Sequence, residues 1–475
     1  MARFAERADP RTHGVTPAPV TTAIVWLRRD LRLADNPALS AALAAGHAIL
    51  PVYVWDPDED RTWAPGAASR WYLQASLAAL ASALEQRGSR LVLARGAARD
   101  VLPRLARDCG AVEVHYSRRY EPAALHADAA TDAALRGAGI AVHAHAGSLL
   151  AEPWSIERKG GGAYQVFTPY WREFVERVRV QRPLAAPERI PAPRSALASA
   201  SLASASIESV GIAPRTAWHA KLESHWTPGE AAAQRTLAQF ASQPQGRYAE
   251  LRDRTDASAG SRLSACLHHG ELSPRQVWTA IGQAARHAGL DDPTWRGGKF
   301  CAELIWREFA AHALYHHPRL PDRSFVERYE SLAWREAPRE LEAWQQGRTG
   351  IAMVDAGMRE LWATGFMHNR ARMICASFLV KNLLIHWIHG ARWFWDTLVD
   401  ADLASNSLNW QWVAGTGPDA APWFRIFNPQ AQADRFDPQG TYRRRWLGNE
   451  GTAGVPPIVD LAASRQRALA ASKEL

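Results

Sequence analysis

The apolar residues change their period part-way along this chain, and that change constrains its fold more than any other feature. Over residues 22–150, short apolar runs alternate with Ala-rich segments of helical spacing. Ala23–Leu27, Ala48–Trp55, Leu91–Leu93, Val112–Tyr116 and Ile140–His145 read as buried strands. Asn36–Gly46, Ala67–Arg87, Arg99–Cys109 and Ala123–Gly137 read as the helices between them. This alternation predicts a Rossmann-like α/β domain, a parallel sheet covered on both faces. Yet no GxGxxG follows the first strand and no GxxxxGK(S/T) occurs, so the domain lacks a glycine-rich phosphate loop. The turn after that strand reads Arg28-Arg29-Asp30-Leu31-Arg32 instead.

From Pro228 onward no strand pattern recurs. Segments 229–242, 262–269, 273–288, 299–316, 338–346, 351–364, 368–389 and 391–398 carry helical periodicity, which predicts an all-α C-terminal domain. Residues 181–228 are rich in Pro, Ala and Ser and read as a surface connector. The expected organisation is a loose tail over 1–20, an α/β domain over 21–150, a long connector over 151–228 and a helical domain over 229–475.

Composition narrows the function classes. Lys and Arg number 56 against 48 Asp and Glu, a formal charge of +8 that allows a nucleic-acid partner without demanding one. The cysteines at 109, 266, 301 and 375 are scattered, which argues against a disulfide framework and a cysteine-built zinc site and fits a reducing cytoplasm. Residues 1–20 lack the apolar core of a secretory signal. The stretch Met373–Ile388 is too short and too polar to span a membrane. The chain holds 21 Trp against 13 Phe and 10 Tyr, and 13 of those Trp lie between Trp278 and Trp446. Trp is a costly way to fill a core, so the excess points to stacking on flat ligands or bases.

Four constellations carry chemistry. Gly260-Ser261-Arg262-Leu263-Ser264 places hydroxyls, a guanidinium and free N–H groups at a helix start, which suits a phosphate and equally an ordinary Ser cap. Glu303, Trp306 and Arg307 share one helix face that could hydrogen-bond and stack on a base, or form an ordinary amphipathic helix with one ion pair. In Phe366–Met373, Asn369, Arg370 and Met373 are neighbours; Asn reads base edges and Arg holds phosphate, although solvated arginines at a helix start look alike. Asp400 and Asp402 are too few to hold a metal but can bind a polar heterocycle or ribose, ahead of Asn406, Trp410 and Trp412.

In this order and spacing, these motifs and Val25–Arg32 resemble the photolyase/cryptochrome family, most closely bacterial class I cyclobutane-pyrimidine-dimer photolyases. The resemblance runs from Val25 to about Trp446. It implies a helical domain that holds FAD, reduced in its active form, and an α/β domain that can hold a second antenna chromophore. It implies a carbon–carbon lyase that repairs UV-damaged DNA, splitting a flipped-out pyrimidine dimer by light-driven electron transfer from the reduced flavin.

Residue by residue, Tyr248, Phe300, Ser261, Arg262, Leu263, Ser264, Arg372, Asp400, Ala401, Asp402 and Asn406 match the family's FAD contacts. Arg252, Glu303, Trp306, Arg307, Asn369, Arg370, Met373, Trp412 and Gln432 match its lesion and DNA contacts, and Trp410, Trp387 and Trp334 its electron-carrying tryptophans. The expected protein is a cytoplasmic monomer without a metal or a membrane partner. A cryptochrome-like photoreceptor, a (6-4) photolyase and a non-catalytic nucleic-acid-binding module are the alternatives. Asn369 argues against (6-4) repair, where His is typical, and Asn406 against a plant-type cryptochrome, where Asp is usual. The chain departs from the family pattern at Gly260, where Thr is usual, and at Ser407-Leu408-Asn409, where Asn-Gly-Gly is common. Pro321 and Asp322 stand where folate-binding members have Cys and Lys, and Glu121 resembles the family's antenna-side Glu.

Overall fold

A computed structural model describes residues 20–193, 206–214, 217–244, 246–257, 259–449, 451–452 and 454–473. The tail expected over 1–20 lies, apart from Val20, outside the described residues. The five strands are β1 (Thr22–Leu27), β2 (Ala48–Trp55), β3 (Val92–Arg95), β4 (Ala111–Ser117) and β5 (Ala141–His145). Helices α1 (Pro37–Ala44), α2 (Ala67–Glu85), α3 (Ala98–Cys109) and α4 (Pro122–Gly137) connect them. All pairings are parallel, in the order β3-β2-β1-β4-β5. Both faces are covered, which is why the central strands are apolar throughout. Ala23, Val25 and Leu27 pack with Leu39, Leu77 and Leu80 of α1 and α2; Ile24 and Trp26 pack with Val101, Leu102 and Leu105 of α3.

Strand order reverses beside β1, so the turns after β1 and β4 open a crevice at the carboxyl ends of the strands. In place of a phosphate loop, the β1 turn docks into the helical half. Arg32 is buried and donates to Asp35 O (3.1 Å), Gly270 O (2.9 Å) and Gly147 O (2.8 Å). Asp35, also buried, pairs with Arg275 at 2.7 Å and accepts from the Leu184 N–H at 2.9 Å and from the Ser273 hydroxyl. Gly270 has φ +74°, and a Cβ there would lie 2.0 Å from the Arg29 carbonyl oxygen. The seam therefore admits glycine alone at that position.

The remaining elements are helical, and no strand follows β5 among the described residues. One helix begins earlier than the sequence pattern suggested. Helix α5 (Phe167–Arg177) buries Phe167, Tyr170 and Phe174 in the core of the helical half. The described part of 181–228 also packs: Ile190, Val210 and Ile212 are fully buried against the α2 side of the sheet.

The helix expected over 368–389 is broken. Asn369–Ser377 is α-helical, Phe378–Asn382 widens into a π-turn, and Leu384 takes φ +55°. The next helix runs Trp387–Thr397, with His386 accepting the Ile388 N–H at 3.1 Å as its cap. Tertiary bonds override the apolar pattern here. The buried Lys381 side-chain nitrogen donates to Ala414 O at 2.7 Å and sits over the Trp423 ring, and Asn382 donates to Ser464 Oγ at 2.9 Å. No described helix is long and apolar enough to cross a membrane.

A buried carboxyl tunes the seam. Glu308 accepts the N–H groups of Leu150 (2.8 Å) and Ala151 (3.2 Å), which pins the stretch after β5 to the helical half. Burial pushes its pKa from 4.5 up to about 7, against the pull of Arg307 and the two N–H groups. The native state thus keeps a proton that the unfolded chain loses. Stability must fall as pH rises from about 4.5 to about 7 and then level off, an effect of at most about 3 kcal/mol. Glu308→Gln should flatten this slope, read as urea midpoints between pH 5 and pH 7; an unchanged slope would remove Glu308 from the account.

Candidate functional site

Four helices, the loop Asp400–Asp402 and the Arg252–Asp253 segment line a cavity of about 430 Å³ in the helical half. Helix Lys299–His316 supplies Lys299, Glu303, Trp306 and Arg307, whose spacing of about one and two turns puts them on one face. Helix Asn369–Ser377 supplies Asn369, Arg370, Arg372 and Met373. The loop Asp400–Asp402 and helix Leu403–Ala414 supply Asp400, Ala401, Asp402, Asn406, Leu408, Asn409, Trp410 and Trp412. Asp402 caps that helix, accepting the Ser405 N–H at 2.9 Å.

The polar end is organised around Asp400. Its carboxylate takes both bonds of a fork from Arg372 Nη2 (2.9 and 3.1 Å) and one from Ser264 Oγ (2.6 Å). Burial pushes the Asp400 pKa up, but Arg372 and Ser264 outweigh it and hold the group ionised. Asp402 is likewise held below the ordinary carboxylate range: burial opposes this, and His268, Arg307 and Arg29 prevail. Arg29 comes from the β1 turn and reaches within 3.8 Å of Asp402, so the seam contributes directly to the site. Asn406 gives an amide N–H to Ala391 O at 3.0 Å, which leaves its carbonyl oxygen as an acceptor.

The rim is aromatic and charged. Trp306 lies flat on Phe167 of α5, with centroids 3.8 Å apart and planes 8° apart. Glu303 pairs with Arg252 and with Lys299 (3.4 Å). Arg370 pairs with Asp253 at 2.8 Å and covers the Phe436 ring. Asn369 is exposed, its amide 4.0 Å from Met373 Sδ. Arg307 also donates to Ser148 O at 2.9 Å.

Apart from Trp410, which lines the cavity, the remaining sequence-selected residues lie outside the lining. Ser261, Arg262 and Leu263 form the turn leading to Ser264, where the Arg262 guanidinium (φ +58°) lies over both the Trp226 and Phe366 rings, which meet edge to face. Tyr248 and Phe300 pack on each other and on Phe240. Gln432 is half-buried on helix Pro429–Phe436. Trp387 is fully buried and Trp334 half-buried, with His386 between them at ring-centroid distances of 5.4 and 5.0 Å. Trp410 is buried against Phe394, Trp344 and Gly390, where a Cβ would lie 2.1 Å from its ring.

Sequence reading passed over Lys299, Asp253, Phe394 and Leu398, which also line the cavity. Lys299 was accessible, being one turn before Glu303; Asp253, Phe394 and Leu398 reach the cavity only through tertiary packing.

A second cavity, of about 130 Å³, lies where the sheet meets the helical half. Trp26, Arg28, Arg29, Tyr53 and Arg119 line it at the strand ends, and Trp63, His268 and Trp395 close it from the other side. Glu121 reaches it and pairs with Arg29. Asp322 accepts the Trp63 indole N–H at 3.0 Å and so belongs to this seam.

A family model described as DNA photolyase matches residues 23–193, and one described as FAD binding domain of DNA photolyase matches residues 300–453. A deoxyribodipyrimidine photo-lyase of Agrobacterium fabrum is 41% identical, with 96% of this chain and 97% of that protein covered. The chain belongs to the photolyase/cryptochrome family. The crystal structure of a bacterial class III photolyase from Agrobacterium tumefaciens superposes with a TM-score of 0.89 at 40% identity, over 98% of this chain and 99% of that one. Cryptochrome-1 of Arabidopsis thaliana is 36% identical over 90% of this chain and 62% of its own length.

The donor set fits the FAD of a photolyase. Phe394, Leu398, Leu408, Trp410 and Val413 offer an apolar wall for a flat ring system, and Arg372, Asp400, Asp402 and Asn406 a polar edge for its heteroatoms. The two departures near this edge are sterically quiet. Helix Leu403–Ala414 runs unbroken through Ser407-Leu408-Asn409, with Ser407 bonded to Leu403 O at 2.7 Å. A Cβ at Gly260 would meet nothing within 4 Å. Gly260→Thr should therefore fold normally and slow the loss of FAD during dialysis by several-fold, since one net hydrogen bond is worth about 1 kcal/mol. Unchanged or faster flavin loss would mean that residue 260 does not reach the cofactor.

Proposed function

We propose that this chain repairs UV-damaged DNA by light-driven splitting of cyclobutane pyrimidine dimers. The observation that carries the reading is a single cavity with a flavin-type wall and a rim of Asn369, Met373, Trp306 and Trp412 beside Arg252, Lys299 and Arg370. A dimer inside a duplex is out of reach, and weakened pairing makes its extrusion cost only a few kcal/mol. Trp306, backed by Phe167, and Trp412 provide flat walls that recover roughly 1–3 kcal/mol per stacked base. Glu303, oriented by Arg252 and Lys299, hydrogen-bonds the dimer where charge develops on it. Asn369, whose amide is otherwise engaged only with a thioether, reads the base edge. Arg252, Lys299 and Arg370 hold the backbone phosphates, so binding weakens with salt.

Tyr248, Phe300, Ser261–Ser264, Arg372, Asp400–Asp402 and Asn406 hold the FAD. When bound and reduced, the flavin supplies a photoexcited one-electron donor. Leu398, Phe394 and Leu408 keep bulk water from the donor side. Trp410, Trp387 and Trp334 recharge the cofactor from the surface. His386 stands between the Trp387 and Trp334 rings, at centroid distances of 5.4 and 5.0 Å, in support of this. Trp344, Trp395, Trp226 and Trp423 each donate to a backbone carbonyl at 2.7–3.0 Å, as packing tryptophans do. The buried N–H groups of Trp387 and Trp334 find no partner, a state they share with Trp26 and Trp171.

The second cavity, at the reversal of strand order, takes an antenna chromophore. The protein acts as a cytoplasmic monomer, where its four buried thiols stay reduced.

Purified, reduced protein under blue light should restore pyrimidines in dimer-containing DNA, and Asn369→Ala should weaken dimer-DNA binding by about 1–3 kcal/mol while sparing undamaged DNA. Flavin-loaded protein that binds DNA without light-dependent reversal would instead mark a cryptochrome-type photoreceptor. Trp387→Phe should abolish photoreduction of oxidised flavin yet repair normally once the flavin is reduced chemically. Loss of both activities would make Trp387 a structural residue.

A further inference from the structure

Outside both cavities, the edge of the sheet carries a cluster that the repair chemistry does not use. Glu113 and His115 of β4 point to the face of β1 that holds Ala23 and Val25, and His143 of edge strand β5 stands directly opposite His115 in register. Three imidazole nitrogens converge on one oxygen, Glu113 Oε2: Nε2 of His115 at 2.9 Å, of His47 at 3.3 Å and of His143 at 3.5 Å. A carboxylate oxygen has two lone pairs, so one of the three is surplus in a pure hydrogen-bond network. Two of the three far nitrogens are already engaged. His115 Nδ1 lies 3.1 Å from His145 Nε2, and His47 Nδ1 lies 2.7 Å from Thr21 Oγ1.

We propose that Glu113, His115 and His143 form a binding site for a divalent late transition metal of the zinc type. Their ligand atoms all lie within 4.8 Å of one another. Metal–ligand bonds of about 2.0–2.1 Å in tetrahedral geometry set ligand atoms about 3.3 Å apart, and the separations of 2.9 and 3.5 Å straddle that spacing. Two imidazoles and one carboxylate favour zinc, nickel or copper over magnesium or calcium, which prefer all-oxygen shells. His145 and Thr21 occupy the places of outer partners that orient ligating or neighbouring rings. His143 is 44% exposed at its side chain and gives the ion a way in. A bound ion ties the edge strand to its neighbour and adds to the stability of the sheet margin.

The test uses flavin-loaded, tag-free protein, stripped with chelator and titrated with zinc alone in a calorimeter. Saturable binding of a single equivalent in the micromolar range is expected, with a rise in melting temperature. His143→Ala and Glu113→Gln should each weaken binding at least about tenfold and lose the zinc-dependent rise, while their metal-free melting and flavin spectra stay as in the parent. His143 is at the surface, so His143→Ala keeps the test valid should Glu113→Gln fold poorly. Absence of saturable binding at millimolar zinc, or equal binding by parent and His143→Ala, overturns the proposal.

Discussion

The buried Arg32–Asp35 turn is the contact on which the two halves depend. Two opposite charges are taken out of water there, which is tolerable only because each is fully bonded. Most of the partners belong to other parts of the chain: Gly147 after β5, Leu184 in the connector, and Gly270, Ser273 and Arg275 in the helical half. Each half would leave unpaired charge if it folded apart. The same turn carries Arg29 to Asp402 and Glu121, so one loop sets the relation between the larger cavity and the smaller one.

The π-turn at Phe378–Asn382 has a comparable role within the helical half. It ends the helix that carries Asn369, Arg372 and Met373 and starts a second one at Trp387. Gly390, one turn later, lets the Trp410 ring press against that second helix. A continuous helix over 368–389 would have pointed these residues in unrelated directions. The break is held by Lys381 and Asn382, polar groups buried deep in an apolar stretch, and the strain of Leu384 is accepted to keep it.

The tryptophan excess divides by place in the fold. Trp344, Trp395, Trp226 and Trp423 knit distant segments through a carbonyl each, and Trp63 and Trp395 meet edge-on across the seam. Much of the excess is therefore architecture. Trp306 and Trp412, at the cavity rim, stand apart from it.

The parallel sheet, its reversal of period and the helical second half were legible from apolar spacing alone, because a strand covered on both faces and an amphipathic helix leave different local signatures. Helix α5 had such a signature, in Phe167, Tyr170 and Phe174, but lay in a stretch whose flanks read as linker. Motif order placed Glu303, Trp306, Asn369, Arg372, Asp400 and Trp412 in one functional set, and the fold brings them to one cavity. What the sequence could not decide was everything that depends on partners far along the chain. Those are the ionised state of Asp400, the backing of Trp306 by Phe167, the broken helix before Trp387, and the meeting of His47 with Glu113. Local periodicity records only which face of an element is apolar. Which buried polar group meets which is settled by desolvation and pairing in three dimensions, and that is a property of the tertiary structure alone.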